Sequence, residues 1–227
     1  MRLAVVDSGL VTSANRPFFV QTPFGDVSAL LFTDKGRQVI FLQPPTEQGI
    51  YADPAVAYAA RAMEAERVIA VARDTGVDGP ATPADYIEFT NGRFTTFFSH
   101  VGTGYIQQDP PFCPQLRTAL LAAGVADGKT LVILDHLPAP KEKKRWQELE
   151  LNWFTTQTQP LGALCRELEM CFAVLALPPN FPISGLIRHL LACLPTKREC
   201  QCAESMAFAR RSGKLPPDWR DWIQPAD

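Results

Sequence analysis

The sequence predicts an α/β fold, and three observations carry that expectation. Short, mainly apolar and often β-branched runs (Leu3–Val6, Arg67–Ala72, Thr130–Leu134 and Cys171–Leu177) lack polar alternation, as buried parallel strands do. Helix-patterned segments such as Pro54–Ala65 and Pro114–Ala123 lie between them. At 227 residues, 46% hydrophobic and 20% charged, the chain is long enough to bury one sizeable core. No repeat or linker divides it, so one domain is expected over residues 1–227, with 184–227 as a helical tail. A net charge of −2 gives no electrostatic reason for a nucleic-acid or anionic-membrane partner. No apolar run reaches bilayer length, and Met1-Arg2 passes straight into Leu3–Val6 without a signal-peptide core. The six cysteines are irregularly spaced and read as reduced thiols, so a cytoplasmic protein is expected.

In chain order, Leu3–Val6 opens the sheet and hands over to Asp7-Ser8-Gly9-Leu10 at its carboxyl end, where open α/β sheets place ligands. Ala29–Phe32 and Val39–Leu42 read as a hairpin joined at Asp34-Lys35-Gly36. Pro54–Ala65 is an Ala-rich helix with Asp53 as its N-cap, followed by the strand Arg67–Ala72. Tyr86, Ile87 and Phe89 form a strand ahead of the Asn91-Gly92 turn. Phe94, Phe97 and Phe98 then crowd a loop suited either to subunit contact or to roofing a pocket. Cys113-Pro114 opens the next helix, and Lys141–Phe154 runs from helix into strand. Leu161–Met170 is a helix before the last strand, and the tail holds a helix from Ser184 and a second over Glu199–Arg211. Asp218–Trp222 is expected to dock its two tryptophans on the body or on a neighbouring subunit.

Asp85-Tyr86-Ile87-Glu88-Phe89-Thr90-Asn91-Gly92-Arg93, then Thr96-Phe97-Phe98, then Asp109-Pro110 with Phe112-Cys113-Pro114-Gln115-Leu116-Arg117, form the most distinctive stretch. It resembles the central segment of the trimeric purine nucleoside phosphorylase and methylthioadenosine phosphorylase family. The resemblance extends roughly from Leu3 to Ser184. It implies a phosphorylase/hydrolase-like three-layer α/β/α fold with a central mixed, partly barrel-like sheet. It also implies a homotrimer with Phe94, Phe97 and Phe98 near the interface, a nucleoside or base as ligand, no cofactor and no metal. The activity implied is that of a pentosyltransferase, a glycosyltransferase acting on purine nucleosides with phosphate.

The residues that carry this chemistry in the family are mostly exchanged here. Ser8 and Gly9 match the phosphate loop, although they also suit a plain turn, and Asp7 replaces a glycine there. A carboxylate beside phosphate is repulsive. Gln43 and Pro44 occupy the positions of a phosphate-gripping Arg and His, and neutral Gln cannot replace a bidentate charge-assisted contact. Ala72 and Arg73 stand at the end of the strand Arg67–Ala72, where the family's small and hydroxyl residues touch ligand. Arg73-Asp74 is either a new active-site feature or a salt-linked plug. Thr156 replaces a Met that lies against ribose and base, while Asn180 matches the residue that bonds the purine edge, a position equally suited to a turn. Asp135-His136 is the nearest acid/base pair, with no nucleophile alongside. His189, Cys193, Cys200 and Cys202 match no common zinc module, so no metal is expected. Three readings follow: a nucleoside-binding protein with phosphorolysis weakened or lost, a nucleosidase-type hydrolase using Asp7, Glu47, Asp74 or Asp135, or an assembly protein.

Overall fold

Strands that are apolar on both faces need a cover on each side, and the chain supplies two. The computed structural model describes residues 1–7, 16–45, 49, 52–73, 75–98, 106, 108–216 and 218–223, with Arg220 and Trp222 as backbone only. The strands begin with β1 (Arg2–Val6), β2 (Phe18–Val20), β3 (Val27–Asp34), β4 (Arg37–Gln43) and β5 (Arg67–Ala72). They continue with β6 (Ala81–Thr82), β7 (Asp85–Phe89), β8 (Ala126–Asp127), β9 (Thr130–Leu134), β10 (Trp153–Thr155) and β11 (Cys171–Ala176). The helices are α1 (Ala52–Ala62), α2 (Pro114–Ala122), α3 (Pro140–Glu148), α4 (Leu161–Glu167), α5 (Ile183–Cys193) and α6 (Ala207–Arg211).

An eight-stranded mixed sheet has the order β2-β3-β4-β1-β5-β11-β6-β8, and β10-β9-β7 form a second sheet. β4, β1, β5 and β11 run parallel, with Leu3 opposite both Val39 and Arg67, and Cys171 opposite Arg67. The β3–β4 hairpin turns at Lys35 and Gly36, whose φ of 47° and 76° suit the tight primed turn that matches strand twist. Successive strand residues face opposite sides. Val6, Val68, Ala70, Phe172 and Val174 meet α1 and α4 on one side. Leu3, Val5, Ile69, Val71 and Leu175 meet α2 and α5 on the other. No helix among the described residues is long and apolar enough to cross a membrane.

The expected elements recur, with instructive differences. α1 starts at Ala52, so Asp53 lies inside the first turn rather than capping it. The expected helix over Glu199–Arg211 is divided into a 3-10 turn at Gln201–Glu204 and the short α6. Met206 is buried there, whereas Phe208 is exposed. β2, β6 and β8 are too short, at three and two residues, for any periodicity to announce them.

The phenylalanine loop packs inward: Phe94, Phe97 and Phe98 are buried within their own chain. The reason is Phe24, which the Thr22–Gly25 turn inserts so that its ring centroid lies 5.5 Å from those of both Phe94 and Phe97. Trp219 closes over Phe98 at 5.6 Å, so this tryptophan of the tail docks on the body. Glu167 of α4 holds the loop from beneath, accepting hydrogen bonds from Thr96 Oγ1 at 2.5 Å and Phe97 N at 2.8 Å. Burial pushes this carboxyl up to about 7, against the two donors. Replacing Glu167 with Ala strands the buried Phe97 amide, at a cost of roughly 1–3 kcal/mol. A lower urea midpoint with unchanged m-value is the expected result, and an unmoved midpoint would show that the loop stands without this anchor.

Candidate functional site

Parallel strands leave a crevice at their carboxyl ends, and here β1, β4 and β5 open onto a cavity of about 140 Å³. Val6, Ala70 and Val71 give it an apolar floor, and Pro44 and Leu161 flank it. Asp53 and the tract Thr156-Gln157-Thr158 supply its polar wall. Asp53 reaches it because the first turn of α1 sits above the sheet edge. Burial raises the Asp53 carboxyl to about 6; Arg93 opposes the shift and Glu88 adds to it. Thr158 is buried with φ at 81°, a conformation that a β-branched residue rarely adopts. Its hydroxyl has no hydrogen-bond partner among the described residues. A strained residue with an unmet donor, facing a cavity, is an arrangement that a bound polar ligand would complete.

Arg93 builds the wall that carries Thr158. It donates from Nη1 to Gln159 O at 2.6 Å and from Nη2 to Thr156 O at 3.1 Å. Asp135 stands behind it, 3.4 Å from Arg93 Nε, and also accepts from Asn91 N at 3.1 Å. Asp135 thus supports the frame, and His136 is exposed beside it, with neither lining the cavity.

The decisive contact lies next to the cavity. Asp7 is 1% exposed, and Arg73 grips both its oxygens, Nε to Oδ1 at 3.0 Å and Nη2 to Oδ2 at 2.8 Å. Arg73 Nη1 donates onward to Pro179 O at 2.8 Å and Phe181 O at 3.4 Å. Arg73 is therefore paired with Asp7, sixty-six positions away in sequence. Asp74, its expected partner, lies outside the described residues, as do Ser8, Gly9 and Glu47. Of the other candidates, Thr156 lines the cavity, Gln43 is exposed at the end of β4, and Ala72 is buried in the core at the end of β5. Asn180 is exposed in a turn closed by Phe181 N to Pro178 O at 3.1 Å, the turn that Arg73 clamps.

Sequence reasoning missed Asp53 and Thr158. An acidic residue at a helix start reads as a cap, and a positive φ at threonine leaves no mark in the sequence. The sequence also divided the thiols differently from the fold. The sulfurs of Cys113, Cys171, Cys200 and Cys202 all lie within 4.8 Å of one another, without His189 or Cys193.

No model of a known protein family matches the chain. The S-methyl-5'-thioadenosine phosphorylase of Mycolicibacterium smegmatis is 32% identical over 203 residues, spanning 78% of this chain and 76% of its own length. The chain belongs to the methylthioadenosine and purine nucleoside phosphorylase family. A probable 6-oxopurine nucleoside phosphorylase of Korarchaeum cryptofilum is 24% identical, covering 88% of this chain and 95% of its own. The fold matches a crystal structure of a methylthioadenosine phosphorylase from an antarctic soil metagenomic library, with TM-score 0.74 and 18% identity over 99% of this chain and 98% of that one.

Two outcomes follow for the site. Arg73→Ala leaves a buried carboxylate without its cation and should destabilise the protein by about 3–5 kcal/mol in chemical denaturation; adding Asp7→Asn should recover most of that loss. An Arg73→Ala protein as stable as the parent would remove the pair from its structural role. Asp53 behaves in the opposite sense. Its folded-state pKa is raised from 3.8 to about 6, so its proton stabilises the fold fully below pH 3.8 and that contribution is lost as pH rises through 6. Asp53→Asn should flatten this slope and raise neutral-pH stability by up to about 3 kcal/mol, measured by denaturation at a series of pH values.

Proposed function

We propose that the chain binds a purine nucleoside, or a related small molecule, in the cavity beside Asp53 and Thr158, with phosphate-dependent cleavage weakened or lost. The Asp7–Arg73 pair carries this reading. A phosphate dianion needs charge-assisted donors, and the donors of Arg73 are directed to Asp7 and two backbone carbonyls. Among the described residues the cavity wall holds a carboxyl and no Arg, Lys or His. At about 140 Å³ the cavity is smaller than the roughly 300 Å³ at the low end for drug-sized ligands, so a nucleoside would extend past the described walls.

Hydrolysis is the second reading, favoured by Asp53. A carboxyl poised at about 6 exchanges a proton near neutral pH, as a general base toward water or a general acid toward a departing base requires. Water then takes the place of phosphate, and the products are free base and free pentose. Of the acids first considered for this role, Asp7 and Asp135 are engaged by Arg73 and Arg93. The aromatic loop packs in the chain's own core, which gives the assembly reading less support. A homo-oligomer, trimeric by resemblance, remains part of the proposal, and the edge strand β2 offers exposed Phe18 and Phe19 for it.

The test is a thermal-shift series with methylthioadenosine, adenosine, inosine and their bases, each with and without phosphate, followed by chromatography of the mixtures. A rise in Tm that nucleoside alone produces, unchanged by phosphate, is expected. Base released only when phosphate is present would overturn the reading. Base released without phosphate, and lost in Asp53→Asn while the thermal shift persists, would establish hydrolysis.

A further inference from the structure

We propose that Cys113, Cys171, Cys200 and Cys202 form a tetrathiolate site for a zinc ion that fastens the carboxyl-terminal region to the sheet. The four sulfurs lie within 4.8 Å of one another, and three of the residues are buried. They come from separate places: the residue ahead of α2, the first residue of β11, and the edge of the 3-10 turn at Gln201–Glu204. A zinc–sulfur bond of about 2.3 Å sets tetrahedral sulfur–sulfur edges of about 3.8 Å. The Cys171 and Cys200 sulfurs are 3.3 Å apart, close to such an edge and well beyond the disulfide length of about 2.05 Å. Four thiols and no carboxylate or imidazole make a soft, closed donor set, which suits structural zinc.

Charge supplies an independent observation. Zinc held by four thiolates carries a net charge of −2, and two arginines stand beside the cluster. Arg67 is the cross-strand partner of Cys171 and is 1% exposed, yet among the described residues both of its terminal guanidinium nitrogens lack a hydrogen-bond partner. Its nearest carboxylate, on Glu66, is 3.8 Å away. Arg198, two residues before Cys200, donates from Nη2 to Glu169 O at 2.9 Å. A buried cation with unmet donors is costly beside neutral thiols and compensated beside a dianionic centre. On binding, each thiol releases its proton to solvent as its zinc–sulfur bond forms, so affinity falls as pH falls.

The site is separate from the nucleoside cavity. Cys171 begins β11 and faces the side of α2 and α5, whereas the cavity lies at the carboxyl ends of the neighbouring strands. Its role is therefore to hold the chain around residues 198–205 against β11 and α2.

The experiment uses the full chain, purified under anaerobic reducing conditions without chelator, with metals measured by mass spectrometry. One zinc per chain is expected, released by a mercurial reagent and replaced by cobalt(II) with the charge-transfer and d–d bands of a tetrahedral tetrathiolate. Cys200→Ser, at a half-buried position, should lose the zinc, while Cys193→Ser and Cys165→Ser should keep it. Chelation of the parent should lower Tm, a readout that does not depend on the variants folding. Metal-free protein whose cobalt titration gives no thiolate band would overturn the proposal. So would a Cys171–Cys200 disulfide in freshly alkylated protein.

Discussion

Asp7 follows β1, Arg73 follows β5, and the two-pronged contact between them, at 3.0 and 2.8 Å, joins neighbouring parallel strands at their carboxyl edge. Because Asp7 is buried, its charge can persist there only with a cation held against it. The same guanidinium bonds the carbonyls of Pro179 and Phe181, so the turn after β11 is drawn into the arrangement. One side chain thus organises three strand ends. All three guanidinium nitrogens of Arg73 hold scaffold groups.

The opposite wall rests on a second polar framework. Arg93 holds the carbonyls of Thr156 and Gln159, Asp135 braces Arg93, and Glu167 holds the Phe97 turn. Each of these charged residues is used inside the scaffold. The polar residues facing the cavity are Asp53, with its raised pKa, Thr156, Gln157, and Thr158, whose hydroxyl is unmet among the described residues. The charged groups that hold the scaffold are therefore different from the acid that faces the cavity.

The core strands were legible because burial on both faces demands uninterrupted apolar residues, as in Leu3–Val6 and Cys171–Ala176. The Lys35-Gly36 turn was legible because local backbone preference decides it. The Phe-rich loop could be recognised as special, but its partner could not, since Phe24 meets it from about seventy positions earlier in the chain. Asp53 showed the same limit: its place in the sequence suggests a cap, while its environment comes from the tract around Thr158 on another element.

The sequence by itself determined the class of fold, the parallel core and the family. Those features depend on local pattern and on aligned positions. Only the tertiary structure decided which charges neutralise each other, which acid faces a cavity, and that four cysteines from three distant segments meet. Pairing energies depend on distance and burial, and both are set when strands remote in sequence are brought into register.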